Sequence, residues 1–249
     1  MKPSYIFIPF VFLLFSCAGK LPSAGRLDDF SGVLTKAKQA QQGFASVKGK
    51  ARVSIKSPQN KIVFDQVATI ARPEFLKISI FAPFGEMLAR IVSDGKNVRM
   101  KTNWEELIFK NPEDFRLSYL YPGLPPQLGV KDVVNFLLGG APFVIPEEGY
   151  SLRMGKKEEE IVFVFSGSKK ARVTIDLEKN FITEIEGELA DGRKVKVEFS
   201  LLKKIATDSY FPRELLFETS DYSLKVNYDD NLRVNSEKDL SSFLSTEEP

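Results

Sequence analysis

Alternation with a period of two runs through most of this chain and narrows its possible folds more than any other feature. Val47, Gly49, Ala51, Val53 and Ile55 alternate with Lys48, Lys50, Arg52, Ser54 and Lys56, which describes a strand with one buried and one wet face. Ser57-Pro58-Gln59-Asn60 makes a turn, and KIVFDQVATIA (61 to 71) returns as a second strand. Arg72-Pro73 punctuates the chain before FLKISIF (75 to 81) and MLARIVS (87 to 93), and Asp94-Gly95 turns it into NVRMK and, after Trp104, ELIFK. The pattern resumes at Tyr150 with YSLRM, followed by IVFVF (161 to 165), ARVTIDL (171 to 177), ITEIEGEL (182 to 189), KVKVEFSLL (194 to 202) and strands around FPRELLFET and DYSLKVNY. Asp191-Gly192 is a two-residue hairpin signal.

Two stretches depart from this period. Leu27, Phe30, Val33, Leu34, Ala37 and Ala40 or Gln41 follow helical spacing up to Gly43, which predicts an amphipathic helix ahead of the first strand. Residues 111 to 129, with YLYPGLPPQLG, are too punctuated for a regular element. Val130, Val133, Val134, Phe136, Leu137 and Leu138 then predict a short helix, ended by Gly139-Gly140 and Pro142. About a dozen strands in sequential hairpins with two helices predict one curved antiparallel sheet. It is a mainly β fold, either a closed barrel or an incomplete one whose concave face the helices cover. No composition break marks a second domain, so residues 27 to 235 read as one unit, followed by a polar tail over 236 to 249.

Composition removes whole classes of function. The chain has no histidine and one cysteine among its 249 residues, which excludes the commonest general base, thiolate zinc sites and intrachain disulfides. Lys plus Arg is 35 against 33 for Asp plus Glu, so no global charge favours nucleic acid. Carboxylate doublets such as Asp28-Asp29 and Glu105-Glu106 read as solvated faces and hairpin tips. No catalytic, metal or cofactor site is assigned. Phe is abundant, 21 residues against one Trp and seven Tyr, which suits either a large core or an apolar cavity.

The lone cysteine follows an apolar run from Tyr5 to Phe15, 11 residues long. A helix needs about 20 residues to cross a bilayer, so the run is too short to span. Lys2 ahead of it and small residues around Cys17 give the layout of a secretory signal. Leu14-Phe15-Ser16-Cys17 resembles the bacterial lipobox, with Phe15 bulkier than usual at its place. The expectation is a signal over residues 1 to 16, an acylated Cys17 as anchor, and a flexible tether over 17 to 26. In the sorting rule this resembles, Asp after the cysteine retains a lipoprotein at the inner membrane; Ala18 stands there, which implies the outer membrane.

Three further patches carry a family resemblance. FLKISIFAPFGEMLARIVSDGKNVRM (75 to 100), GVKDVVNFLLGGAP (129 to 142) and YFPRELLFETSDYSLKVNYDD (210 to 230) resemble segments of the outer-membrane lipoprotein-receptor family, LolB-like, and less closely its LolA-like periplasmic carrier. The resemblance implies an unclosed β-barrel with a helical lid, whose apolar cavity takes acyl chains of lipoproteins from a periplasmic carrier and passes them to the outer membrane. Such transfer makes and breaks no bonds, so the chain is read as a non-enzyme; a monomer is expected. In that family a protruding apolar residue enters the membrane, a role that maps onto Phe84 between Pro83 and Gly85.

Phe64, Phe81, Phe109, Phe136, Phe163, Phe165 and Phe199 are candidates to line the cavity, with Phe75 and Trp104 as further aromatics. A filled core uses the same residues. Lys48, Lys50, Arg52 and Lys56 form a basic stripe, the wet face of a strand or a contact for anionic headgroups. Two other functions fit the same sequence: a carrier or sensor for glycolipid or another envelope lipid, and a structural envelope lipoprotein. A hydrolase is disfavoured because no activated nucleophile can be assembled.

Overall fold

Antiparallel strand pairing organises the described part of the chain. The computed structural model describes residues 27 to 235 except 120, 122–127, 143, 147, 158, 167–169, 190–191 and 208. The signal, Cys17, the tether and the polar tail lie outside the described residues, as does Asp191 of the hairpin signal.

Helix α1, Leu27–Gln42, leads into six strands: β1 Ser46–Lys56, β2 Lys61–Ala71, β3 Phe75–Phe81, β4 Met87–Asp94, β5 Val98–Thr102 and β6 Glu106–Phe109. Two 3-10 turns, Pro112–Asp114 and Leu117–Tyr119, and helix α2, Val130–Leu137, fill the middle. The second series is β7 Tyr150–Met154, β8 Glu160–Phe165, β9 Ala171–Asp176, β10 Phe181–Glu188, β11 Lys194–Ala206, β12 Ser209–Glu218 and β13 Ser223–Tyr228, with a short β14, Arg233–Val234.

Among the described residues, the 14 strands form one antiparallel sheet in the order β6-β5-β4-β3-β2-β1-β13-β12-β11-β10-β9-β8-β7, with β14 also on β1. Each series is a hairpin meander, as the period-two pattern predicts. The two meanders meet through β1 and β13, where Ala51, Val53 and Ile55 stand opposite Tyr228, Val226 and Leu224. The end strands β6 and β7 are not paired with each other, so the sheet is an incomplete barrel.

The buried register is continuous across the seam. Val53, Val226, Leu215 and Val197 are fully buried in neighbouring strands, and one apolar cluster extends from them to α1, α2 and both meanders. Helix α1 buries Leu34 and Ala37, and its Gln41 amide donates to the Ile182 carbonyl at 3.4 Å. The helices therefore cover the concave face. In β11 the alternation fails at Leu201, which has φ 51° and is exposed; the strand nevertheless continues to Ala206, past the end expected at residue 202.

Candidate functional site

Helix α2 is the part of the lid that the sequence places best, and its ends show how it is held. Val130, Val133, Val134, Phe136 and Leu137 are buried on one side. At its start the Gly129 N–H donates to the Asp132 carboxylate at 2.9 Å. Burial pushes the Asp132 carboxyl above its ordinary value, while this hydrogen bond works the other way. At its end Gly139 takes φ 77°, the left-handed conformation that lets a helix stop. A side chain at Gly140 would collide with Asn135 Oδ1 at 2.5 Å.

Arg72 joins the two helices. Its guanidinium donates to Asn135 Oδ1 on α2 at 2.7 Å, to the Phe44 carbonyl at 2.9 Å and to the Gln41 carbonyl at 3.4 Å. Asn135 in turn donates to the Ala141 carbonyl. Arg72 is half-buried, and desolvation lowers its pKa. A cleft of about 220 Å³ lies beside it, with Lys38, Gln41 and Ile145 in its lining. The Arg72-Pro73 pair reads in sequence only as punctuation, because a latch onto backbone carbonyls has no residue pattern of its own.

Of the seven candidate interior phenylalanines, five share one core. Phe64 stacks on Tyr121 at 6.2 Å between ring centroids, and Tyr121 donates its hydroxyl to Gln66 Oε1 at 2.8 Å. Phe136 meets Phe217 edge-on at 6.2 Å, Phe163 and Phe165 flank Tyr150 at 5.0 and 5.6 Å, and Phe199 meets Phe181 at 6.3 Å. Phe109 is half-buried at the β6 edge, against Phe115 and Tyr119. In this state the interior is occupied by side chains, with Phe115 and Tyr121 of the connecting segment among the buried aromatics.

Phe81 and Trp104 do not share that interior. In β3, Leu76, Ile78 and Ile80 take the buried register, which puts Phe81 and Phe75 on the other face. Phe81 lines a cleft of about 620 Å³ that also touches Arg52, Asp65, Val67 and Pro83. The alternation Leu76-Ile78-Ile80 is visible in the sequence and is the signal that separates Phe81 from the inner set. Trp104 stands at the tip of the β5–β6 hairpin and is 88% exposed.

Phe84 is fully exposed at the tip of the β3–β4 turn. The turn is closed by the Ala82 N–H donating to the Glu86 carbonyl at 2.8 Å and the Gly85 N–H to the Ala82 carbonyl at 2.9 Å. Gly85 has φ 88°, which an L side chain rarely adopts. This backbone holds the phenyl ring away from the sheet. The basic stripe on β1 is solvent-exposed; within it Arg52 pairs with Asp65 at 2.9 Å across β1–β2. Among the described residues no helix is long and apolar enough to cross a membrane.

By sequence, the chain matches no family model and no curated protein. Solved structures do resemble it. A LolA superfamily protein from Nitrosomonas europaea aligns with a TM-score of 0.53 at 15% identity, covering 83% of this chain and 93% of that one. A Vibrio parahaemolyticus domain named for outer-membrane lipoprotein sorting aligns with a TM-score of 0.56 at 12% identity, over 86% and 95%. A DUF1329 family protein from Desulfovibrio piger gives 0.56 at 10% identity, over 87% and 96%. The fold is therefore LolA-like, an unclosed antiparallel β-barrel.

Proposed function

We propose that this chain is an outer-membrane lipoprotein receptor, anchored through Cys17, that accepts acyl chains beneath its helical lid and releases them into the membrane. The observation that carries this reading is Phe84, an apolar side chain held fully in solvent by a closed turn at one end of the half-barrel. Leaving a Phe exposed forgoes about 1.5–3 kcal/mol of burial, a cost that contact with lipid would recover. The LolA-like fold and the lipoprotein-sorting name of one structural neighbour agree with a role in the envelope. Transfer by partition requires no catalytic residue, and a periplasmic lipoprotein carrier is the expected donor.

The packed interior favours one other reading, a structural envelope lipoprotein whose core never opens. Two measurements separate the readings. Native mass spectrometry of the purified chain after exposure to envelope extract should show a bound acylated lipoprotein or its N-terminal peptide; a bound glycolipid or phospholipid points to a lipid carrier, and persistently empty protein to the structural role. Phe84→Glu should fold normally and still bind acyl chains while losing delivery to vesicles. Undiminished delivery by that variant overturns the insertion role.

A further inference from the structure

The β1–β2, β3–β4 and β5–β6 hairpins all turn at the same end of the antiparallel sheet. Their tips are neighbours along one rim, staggered as the tilt of barrel strands requires. The second and third tips are joined directly, because Asn103 Nδ2 donates to Glu86 Oε1 at 3.2 Å. Trp104 is therefore held beside the Phe84 turn. Its own turn is closed: the Thr102 N–H donates to the Glu105 carbonyl at 2.9 Å, and the Trp104 and Glu105 N–H groups donate to Thr102 Oγ1 at 3.2 and 3.1 Å.

We infer that this rim is a second-point membrane contact in which Trp104 is the interfacial anchor and Lys56 and Lys61 meet anionic headgroups. The inference rests on the reading of Phe84 as a membrane-facing residue and adds two hairpins to it. Phe84 and Trp104 project from separate tips, with Met87 and Leu88 also exposed next to the first. Separate protrusions suit a fluid bilayer, which needs no complementary surface, better than a protein partner, which would need contiguous area. Tryptophan is the side chain enriched at the membrane–water boundary. Lys56 and Lys61 stand directly opposite each other in register at the end of β1–β2, both exposed. Like charges so placed destabilise a hairpin, and an anionic surface relieves them. Of the carboxylates on the neighbouring tips, Glu106 is offset by Arg99 at 3.3 Å, whereas Glu86, which accepts only from the neutral Asn103 amide, and Glu105 remain as opposing charges.

Trp104 is the sole tryptophan of the chain, so intrinsic fluorescence reads this tip without a label. The full chain is mixed with vesicles of phosphatidylethanolamine and phosphatidylglycerol, with or without brominated phosphatidylcholine, and the vesicle-bound fraction is isolated by flotation. Emission should shift to the blue and fall about two-fold in brominated vesicles. Lys56→Glu/Lys61→Glu should weaken that quenching in anionic vesicles and leave it unchanged in phosphatidylcholine alone. A chain that does not float with anionic vesicles, or a bound chain whose emission bromine does not quench, overturns the rim contact. The two readings fail separately. Unquenched Trp104 together with lost delivery by Phe84→Glu removes the rim contact and keeps the Phe84 role, whereas quenched Trp104 with undiminished delivery by that variant does the reverse.

Discussion

Tyr121 and Gln66 form one of the polar contacts inside a mostly apolar interior, and it is only half satisfied. The Tyr121 hydroxyl donates to Gln66 Oε1, while Gln66 Nε2 is buried without a partner. Burial pushes the Tyr121 phenol well above its ordinary pKa, so the hydroxyl keeps its proton. Tyr121→Phe leaves the whole Gln66 amide unpaired and should cost about 1–2 kcal/mol in urea unfolding. Tyr121→Phe/Gln66→Met removes both polar groups and should recover most of that loss; a double variant no better than the single one shows that the pair matters by packing alone. Neither residue is conspicuous in the sequence. Gln66 falls on the buried register of KIVFDQVATIA, but its partner lies in a segment whose prolines and glycines hide any period. Phe84 differs, since Pro83 and Gly85 mark its turn locally, and Trp104 is legible as a tip only once Thr102 is seen to close the turn.

At the scale of elements, the strands were readable and the ties between the helices were not. Period-two alternation is local, so β1 to β4 and β8 to β13 can be traced from side-chain pattern alone. The Arg72 latch joins groups 28 to 63 residues apart and ends partly on carbonyls that every residue carries. Arg72→Met removes the donors to Gln41 of α1 and Asn135 of α2, together with the one to the Phe44 carbonyl just after α1. Hydrogen bonds to charged groups are worth about 1.5–3 kcal/mol, so amides of α2 should exchange at least about ten-fold faster, with β12 and β13 unaffected. Equal exchange in the wild type and the variant would mean that apolar packing alone holds the lid. Asp132 adds a pH dependence. Its folded pKa is raised, so the folded state holds the proton more tightly than the unfolded chain does. That contribution is full below the unfolded pKa and is lost as pH rises through the folded value. Asp132→Asn keeps an acceptor for the Gly129 N–H. As pH rises above the ordinary carboxylate value of about 4, the wild type should therefore lose stability relative to this variant; parallel profiles in denaturant titrations count against the shift.

For the whole molecule, the decisive join is β1 with β13, between residues nearly 180 positions apart. Ala51 pairs with Tyr228 and Val53 with Val226, and nothing local in either strand announces the other. The seam makes the two meanders share one core, so they should unfold together. Val226→Ala, at a fully buried position, should destabilise by about 1–3 kcal/mol and accelerate exchange in β4 and β9 alike. Separate transitions for the two meanders would show that each has its own core. A cooperative seam also restricts how cargo can enter. Parting β1 from β13 breaks the sheet and exposes the shared core, whereas lifting α2 leaves the sheet whole and gives up the apolar face of that helix, the Tyr228 hydroxyl bond to the Leu137 carbonyl and the Arg72 latch. Acyl loading should accordingly speed exchange in α2 and around Tyr121 while β1 and β13 stay protected. The opposite pattern, a loosened seam under an unmoved lid, would place the entry between the meanders and contradict the helices' role as a lid.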